Sequence, residues 1–132
     1  MKALKILGIA LAAYVGIVVV FESLIGYFQP ADASTLVITT FDADGSHDRV
    51  VSRLESEGRL YVAANHWPRA WYERALANPE VQVTLDGATS DYQAVAVSGA
   101  EYEKVNGEHA LPVFFRILTG FPPRHLVRLD PR

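Results

Sequence analysis

LYVAANHWPRAWYERALANPEVQVTL, residues 60–85, carries the reading on which the rest of the chain turns. Arg59–Ala64 is a short run of apolar and β-branched residues that predicts a strand. Pro68 suits the first position of a helix, where its missing N–H would have no partner anyway. Trp67, Trp71, Ala75 and Leu76 share one face at helical spacing, and Asn78-Pro79 stops the helix. Val81–Leu85 returns to a period of two, with Asp86-Gly87 as the turn after it. A helix that starts so soon after a strand leaves unpaired backbone N–H groups and the positive end of its dipole at the connecting loop. An anion, typically a phosphate, is favoured there. Asn65 and His66 stand at the mouth of this loop, Arg69 adds a cation, and Trp67 offers a flat face to a ring. For the two tryptophans alone, core packing is the more ordinary role at this spacing and is the one expected.

Outward from that stretch the pattern is repetitive. Thr35–Phe41 is β-branched and apolar, Asp42-Ala43-Asp44-Gly45 supplies a turn, and Arg49–Leu54 alternates as a second strand. Glu55–Gly58 turns into Arg59–Ala64, which makes an antiparallel meander of three. Beyond Gly87, Tyr92–Ser98 reads as a fifth strand and Arg124–Leu129 as a sixth. Ser98 and Glu101 have capping-box spacing, which opens a helix from about Ala100 that Gly107 breaks. Pro112 begins a short apolar helix that ends near Gly120. Residues 110–123 carry a single charge, Arg116. Such a run either plugs the core or lies exposed as a surface for a membrane or a lipid-soluble substrate, and a core plug is the expectation. Six strands with short helical insertions predict a mainly β chain over residues 34–132, a small antiparallel barrel or sandwich.

Residues 1–33 are of a different kind. No charge occurs from Ile6 to Phe21, and a helix over residues 6–28 would reach ~34 Å, enough to cross a ~30 Å hydrocarbon core. Glu22 is the one charge inside that span. A cleaved signal peptide is the competing interpretation, since Met1–Lys5 is basic and Ala31-Asp32-Ala33 has the form of a cleavage site. The long apolar stretch between Phe21 and that site favours an uncleaved anchor that contacts the bilayer through residues 6–28. Lys2 and Lys5 precede the helix, and no Lys or Arg follows until Arg49. The positive-inside rule therefore predicts a single-pass membrane protein with a cytoplasmic N-terminus and an extracytoplasmic domain.

Composition narrows the chemistry. The 132 residues, half of them hydrophobic, suit one folded domain, and a formal net charge of −3 argues against a nucleic-acid partner. There is no Cys, which removes disulfides, thiol chemistry and Cys-ligated metals. His47, His66, His109 and His125 lack metal-binding spacing, and Asp42-x-Asp44-Gly45 is only a fragment of a calcium loop, so no metal is expected.

Trp71, Tyr72 and Leu76–Pro79 spell W-Y-x-x-x-L-A-N-P, followed by V-x-V at Val81 and Val83 and preceded by a strand ending in Ala63-Ala64. This pattern resembles the deazaflavin-dependent nitroreductase/quinone reductase family, which belongs to the flavin-binding split β-barrels. The resemblance implies a split barrel that binds a reduced deazaflavin coenzyme or FMN and passes a hydride to a quinone-like or nitro acceptor. It further implies that Ala64, Asn65, His66 and Trp67 meet the anionic side of the cofactor, where the helix start already places the cation of Arg69. Ser52, Arg53 and Leu54 would approach its ring system. No side-chain nucleophile is needed, because the cofactor carries the chemistry. Many split barrels dimerise, so a homodimer or a partner within a membrane complex is a further expectation. One departure favours a second interpretation. Where the family typically carries a basic loop between the first two strands, this chain has the acidic Asp42-Ala43-Asp44-Gly45, with Arg49, Arg53 and Arg69 as the cations available to offset it. A non-catalytic split-barrel subunit or binding module of a membrane complex is therefore the alternative to a membrane-anchored oxidoreductase.

Overall fold

Thr35–Asp42 (β1), Gly45–Ser56 (β2) and Arg59–Ala64 (β3) pair antiparallel in chain order, as their alternation predicts. They belong to a computed structural model that describes residues 1–28, 34–64, 70–121 and 123–132. Glu57-Gly58 joins β2 to β3 with both residues at positive φ (51° and 75°). Asp86-Gly87 does the same (50° and 85°) between Glu80–Leu85 (β4) and Ala88–Ala96 (β5). Two consecutive positive φ values match the twist of a tight hairpin, which is why a glycine is needed in each. His125–Pro131 (β6) slots between β3 and β5, and β4 pairs with β1. The result is a closed six-stranded barrel in the order β1-β2-β3-β6-β5-β4.

The barrel interior is filled by Leu36, Ile38, Val62, Val81, Val83, Val127 and Leu129 among others. Ala70–Ala77 (α2) adds Trp71 and Ala75 to this cluster, so Trp71 is the core residue expected from its spacing. Leu76 is exposed, so the apolar face of the helix is narrower than the sequence implies. A second cluster lies on the outer face of the sheet, where Leu54, Tyr61, Ala63 and Leu126 are buried with Val105 of Gly99–Glu108 (α3).

Helix α3 does not begin with a capping box. Ser98 makes no side-chain cap bond, and Glu101 turns towards the sheet instead. There Tyr61 Oη donates to Glu101 Oε2 at 2.6 Å, and Arg128 Nη1 donates to both carboxylate oxygens at 3.0 Å. A phenol and a guanidinium offered together outbid a single exposed backbone N–H, because charge-assisted bonds are the stronger ones. The other end of α3 is tied to the β2–β3 hairpin. Lys104 pairs with Glu57, Ser56 Oγ donates to Glu108 at 2.8 Å, and His109 Nε2 lies 2.9 Å from Glu55 O.

The helix within residues 110–123 behaves differently from the core plug expected of that run. Val113–Leu118 (α4) buries none of its residues, and Val113, Phe114 and Ile117 are exposed together with the nearby Phe121. The physical reason is volume: strand side chains and Trp71 already fill the barrel, so α4 is left outside it. Its neighbour is Lys2–Phe28 (α1), a helix long and apolar enough to cross a membrane. Phe21 packs edge-on against Phe115 with ring centres 6.0 Å apart, and Tyr14 Oη donates to Ile117 O at 2.8 Å. Val18 lies so close to Gly120 that a Cβ there would stand 3.1 Å from its Cγ1. Glu22 is buried, with 6% of its surface exposed, so the one charge inside the apolar span does not face outward.

Two outcomes follow for the barrel. Trp71→Ala should cost about 3–5 kcal/mol in chemical denaturation, the range for removing a buried large aromatic. Tyr61→Phe should cost about 1–2 kcal/mol by leaving Glu101 one donor short. The pH dependence has a defined sign. The Tyr61 hydroxyl first, and Arg128 after it, hold the Glu101 carboxyl below the usual carboxylate range. Its contribution is therefore complete above the ordinary carboxylate titration and is lost as pH falls through the lowered value. Burial, then the bond to Glu101, pushes the Tyr61 phenol up. That contribution is present below the ordinary phenol range and is lost as pH rises through the raised value. In Tyr61→Phe, denaturation midpoints measured against pH should lose this alkaline limb.

Candidate cofactor-binding site

Ser52 sits in register with Thr35 on one side and Ala63 on the other. Arg53 lies opposite Val62 and Leu54 opposite Tyr61. The three β2 residues singled out in the sequence thus run alongside the end of β3, where Ala64 is buried. Leu54 belongs to the cluster under α3, while Ser52 and Arg53 are partly exposed. Asn65, His66, Trp67 and Arg69 lie outside the described residues.

Arg53, beside this strand end, is already committed. Arg53 donates through Nε (3.2 Å) and Nη2 (2.9 Å) to Glu55 Oε1, and its Nη1 stands 3.7 Å from Asp86. The Glu55 bond accordingly raises the Arg53 guanidinium above its usual range. Burial lowers the Arg49 guanidinium, and the negative charge of Glu22 acts in the opposite sense. The acidic turn organises itself: Asp42 Oδ1 accepts the Asp44 N–H at 2.8 Å and lies 3.0 Å from His47 Nε2. The bond from His47 is the main reason the Asp42 carboxyl titrates below its usual range. Arg53 is thus offset by carboxylates, and the Asp42–Gly45 turn brings a negative charge with His47 beside it and the charge of Arg74 within reach.

Positive potential gathers elsewhere. Between α3, α4 and the start of β6 lies a cavity of about 200 Å³ lined by Tyr102, Asn106, Leu111, Arg116, Thr119 and Arg124, with Ala110 at its edge. No Asp or Glu is among the described residues that line it. Arg124 Nη1 donates to Asn106 Oδ1 at 2.9 Å and to His109 O at 2.7 Å, which fixes the guanidinium in the wall. Tyr102 Oη donates to Arg124 O at 3.0 Å. Burial pushes the Arg124 guanidinium below its usual range. Arg116 lies over the Phe121 ring, 5.7 Å from its centre. The next residue after Arg124, His125, pairs with Ala64 and stacks on Tyr72 with ring centres 4.7 Å apart. The cavity therefore adjoins the strand end from which the 65–69 segment departs. Sequence reasoning missed this pair of arginines. The available signal was Arg116, the lone charge in an apolar run, with Arg124 just beyond it.

A second depression is apolar. Ala13, Gly16, Ile17, Val20, Phe21 and Leu24 of α1, with Leu118 of α4, line an open groove of about 520 Å³.

No protein-family model matches the chain, and no curated protein matches its sequence. Solved structures do match. An F420-H2-dependent reductase superposes with a TM-score of 0.57 at 21% identity, over 76% of this chain and 96% of that one. A haem storage protein from Vibrio cholerae gives 0.57 at 21% identity, over 85% and 90%. An FAD-binding protein from Mesorhizobium loti gives 0.54 at 16% identity, over 75% and 79%. The chain shares the split-barrel fold of these proteins. At such identities the likeness is one of fold.

Arg124→Met should loosen the junction of α3 with β6. A loss of about 1.5–3 kcal/mol is expected for hydrogen bonds made by a charged group. Faster amide exchange at the C-terminal end of α3 and in β6 would report it.

Proposed function

We propose that the chain is a membrane-anchored split-barrel oxidoreductase. It holds a reduced deazaflavin coenzyme or FMN and delivers a hydride to a quinone-like or nitro acceptor. The observation that carries this reading is the arginine-lined cavity next to the β3 end, within a fold shared with an F420-H2-dependent reductase and an FAD-binding protein. The residues fit part of such a group. Arg116 and Arg124, with no carboxylate among the described lining residues, suit its anionic portion. About 200 Å³ is too small for a tricyclic ring as well, since ligand pockets run from roughly 300 Å³ upward. The ring would lie on the outer face along Ser52 at the strand end, next to the 65–69 segment, with Arg53 on the other face of β2. When bound, the coenzyme supplies the hydride. The chain supplies orientation, a guanidinium pair opposite the negative charge, and an apolar groove beside α1 through which a lipid-soluble acceptor can approach.

Residues 1–33 act as anchor and linker, with residues 34–132 as the barrel domain. Support for an uncleaved anchor comes from its contacts. Removal of α1 would strip Phe21 from Phe115, Tyr14 from Ile117 O and Val18 from Gly120. The lysines before α1 favour a domain on the extracytoplasmic side.

A second reading, a non-catalytic binding module of a membrane complex, is favoured by one observation: Arg53 is held by Glu55 and Asp86 rather than directed at a ligand. A single titration separates the two. The full chain, reconstituted in lipid nanodiscs, should take up FMN or a deazaflavin with a change in absorbance and fluorescence. Replacing both Arg116 and Arg124 by Gln should weaken uptake roughly tenfold or more, the loss expected when charged hydrogen bonds are removed. A wild-type protein that binds neither compound belongs to the second reading.

A further inference from the structure

We infer that α4 is itself immersed in the bilayer, as a second membrane element beside α1, and that the protein is not a barrel held clear of the membrane on a single stalk. The inference rests on the anchored reading above and follows from length. The contacts with Ile117, Phe115 and Gly120 set α4 alongside Tyr14, Val18 and Phe21 of α1. Between Lys5 and Tyr14 lie residues 6–13, eight residues. At ~1.5 Å each they cover about 12 Å, less than half of a ~30 Å hydrocarbon core. If α4 stayed above the hydrocarbon, too little helix would remain to cross it. An α1 that spans the bilayer therefore carries α4 in with it.

The chemistry of α4 agrees. Val113 (64% exposed), Phe114 (72%), Ile117 (41%) and Phe121 (53%) form the surface that lipid would cover. Its single charge, Arg116, is exposed at the rim of the cavity that Tyr102, Asn106 and Arg124 also line, and its long side chain can carry the guanidinium towards the headgroups. In hydrocarbon the backbone at the end of a short helix also needs partners. Thr119 N–H bonds Phe115 O at 3.0 Å, Phe121 N–H bonds Arg116 O at 2.9 Å, and the hydroxyl of Tyr14 reaches across to Ile117 O. A tyrosine in the middle of an apolar span that donates to a helix-terminal carbonyl is what such an end requires. The occupant of the exposed face is therefore acyl chain.

The absence of cysteine makes the test direct. Single cysteines would be introduced in the full chain at Phe114 and Val113 on α4, at Val15 on α1, and at Ala88 on the β4–β5 turn. Each would carry an environment-sensitive fluorophore. The proteins would be reconstituted in phosphatidylcholine/phosphatidylglycerol vesicles with nitroxides on the acyl chains, and aqueous iodide would serve as the opposing quencher. The expected result is acyl-chain quenching at positions 113 and 114 as strong as at 15, with protection from iodide at all three and the reverse at 88. Lipid quenching at 15 with iodide quenching at 113 and 114 overturns the immersion of α4 and leaves the anchor intact. Protection of 113 and 114 from both quenchers also overturns it, since protein would then cover the face. No lipid quenching at 15 sinks the anchor itself, and this inference with it.

Discussion

The seam between β1 and β4 is the constraint on which the rest of the molecule depends. Only three registered pairs, Val37 with Thr84, Ile38 with Val83 and Thr39 with Gln82, close the barrel there. They remove the two strand edges that would otherwise stay open to further pairing. Closure with six strands leaves a narrow lumen, since even eight strands give an interior that side chains just fill. Leu36, Ile38, Val62, Val83 and Val127 occupy it, with Trp71 and Ala75 contributed by α2. Nothing the size of a tricyclic ring can enter. Any ligand of that kind must lie on the outer surface of the barrel, and both α3 and α4 are on that outer surface as well. The position of the candidate site is thus a consequence of closure.

Charge is distributed in keeping with that geometry. Most carboxylates on the sheet are matched within a few ångströms. Arg128 forks onto Asp130 and reaches Glu101, Arg53 answers Glu55 and Asp86, and Lys104 meets Glu57. These pairs fix strands and helices relative to one another, and at the surface each contributes little by itself. The cavity between α3 and α4 is the contrast, because two guanidiniums line it without a carboxylate among its described residues. In a chain with a net charge of −3, two arginines side by side make this cavity a local concentration of positive charge.

Much of the barrel was legible in the sequence because its signals are local. A period of two, a glycine at each tight turn and the Asn78-Pro79 stop give all six strands and α2 to within a few residues. What escaped depends on contacts between segments distant in the chain. Glu101 has the spacing of a cap, but Tyr61 and Arg128, forty and twenty-seven residues away, take its carboxylate. Residues 110–123 are apolar by composition, and composition does not say whether protein or another medium will cover them. The arginine-lined cavity is built from positions 102, 106, 116, 119 and 124, which no short motif connects. Of the site residues read from the sequence, register brings Ser52 and Arg53 beside the β3 end, but their availability to a ligand depends on the carboxylates that each meets in the fold.

Two sequence oddities then explain each other. A carboxylate near the end of an apolar helix and an arginine within an apolar run each look costly in isolation, because a charge away from water must be compensated. In the folded chain Glu22 is buried within electrostatic reach of Arg49 on β2, while Arg116 turns to the cavity that Asn106 and Arg124 help to line. Glu22 thus faces the barrel, and Arg116 sits at the cavity rim over the Phe121 ring. Over the length where the two helices touch, their exposed large residues are Val15, Ile17, Val19, Val20, Val113, Phe114 and Ile117, with Arg116 as the exposed charge at the cavity rim. The orientation of α1 about its own axis is thereby set: rotating it would expose Glu22 to the apolar side and separate Phe21 from Phe115. The barrel is held at one angle to α1 for the same reason, since Glu22 engages β2 while α4 engages Tyr14 and Phe21.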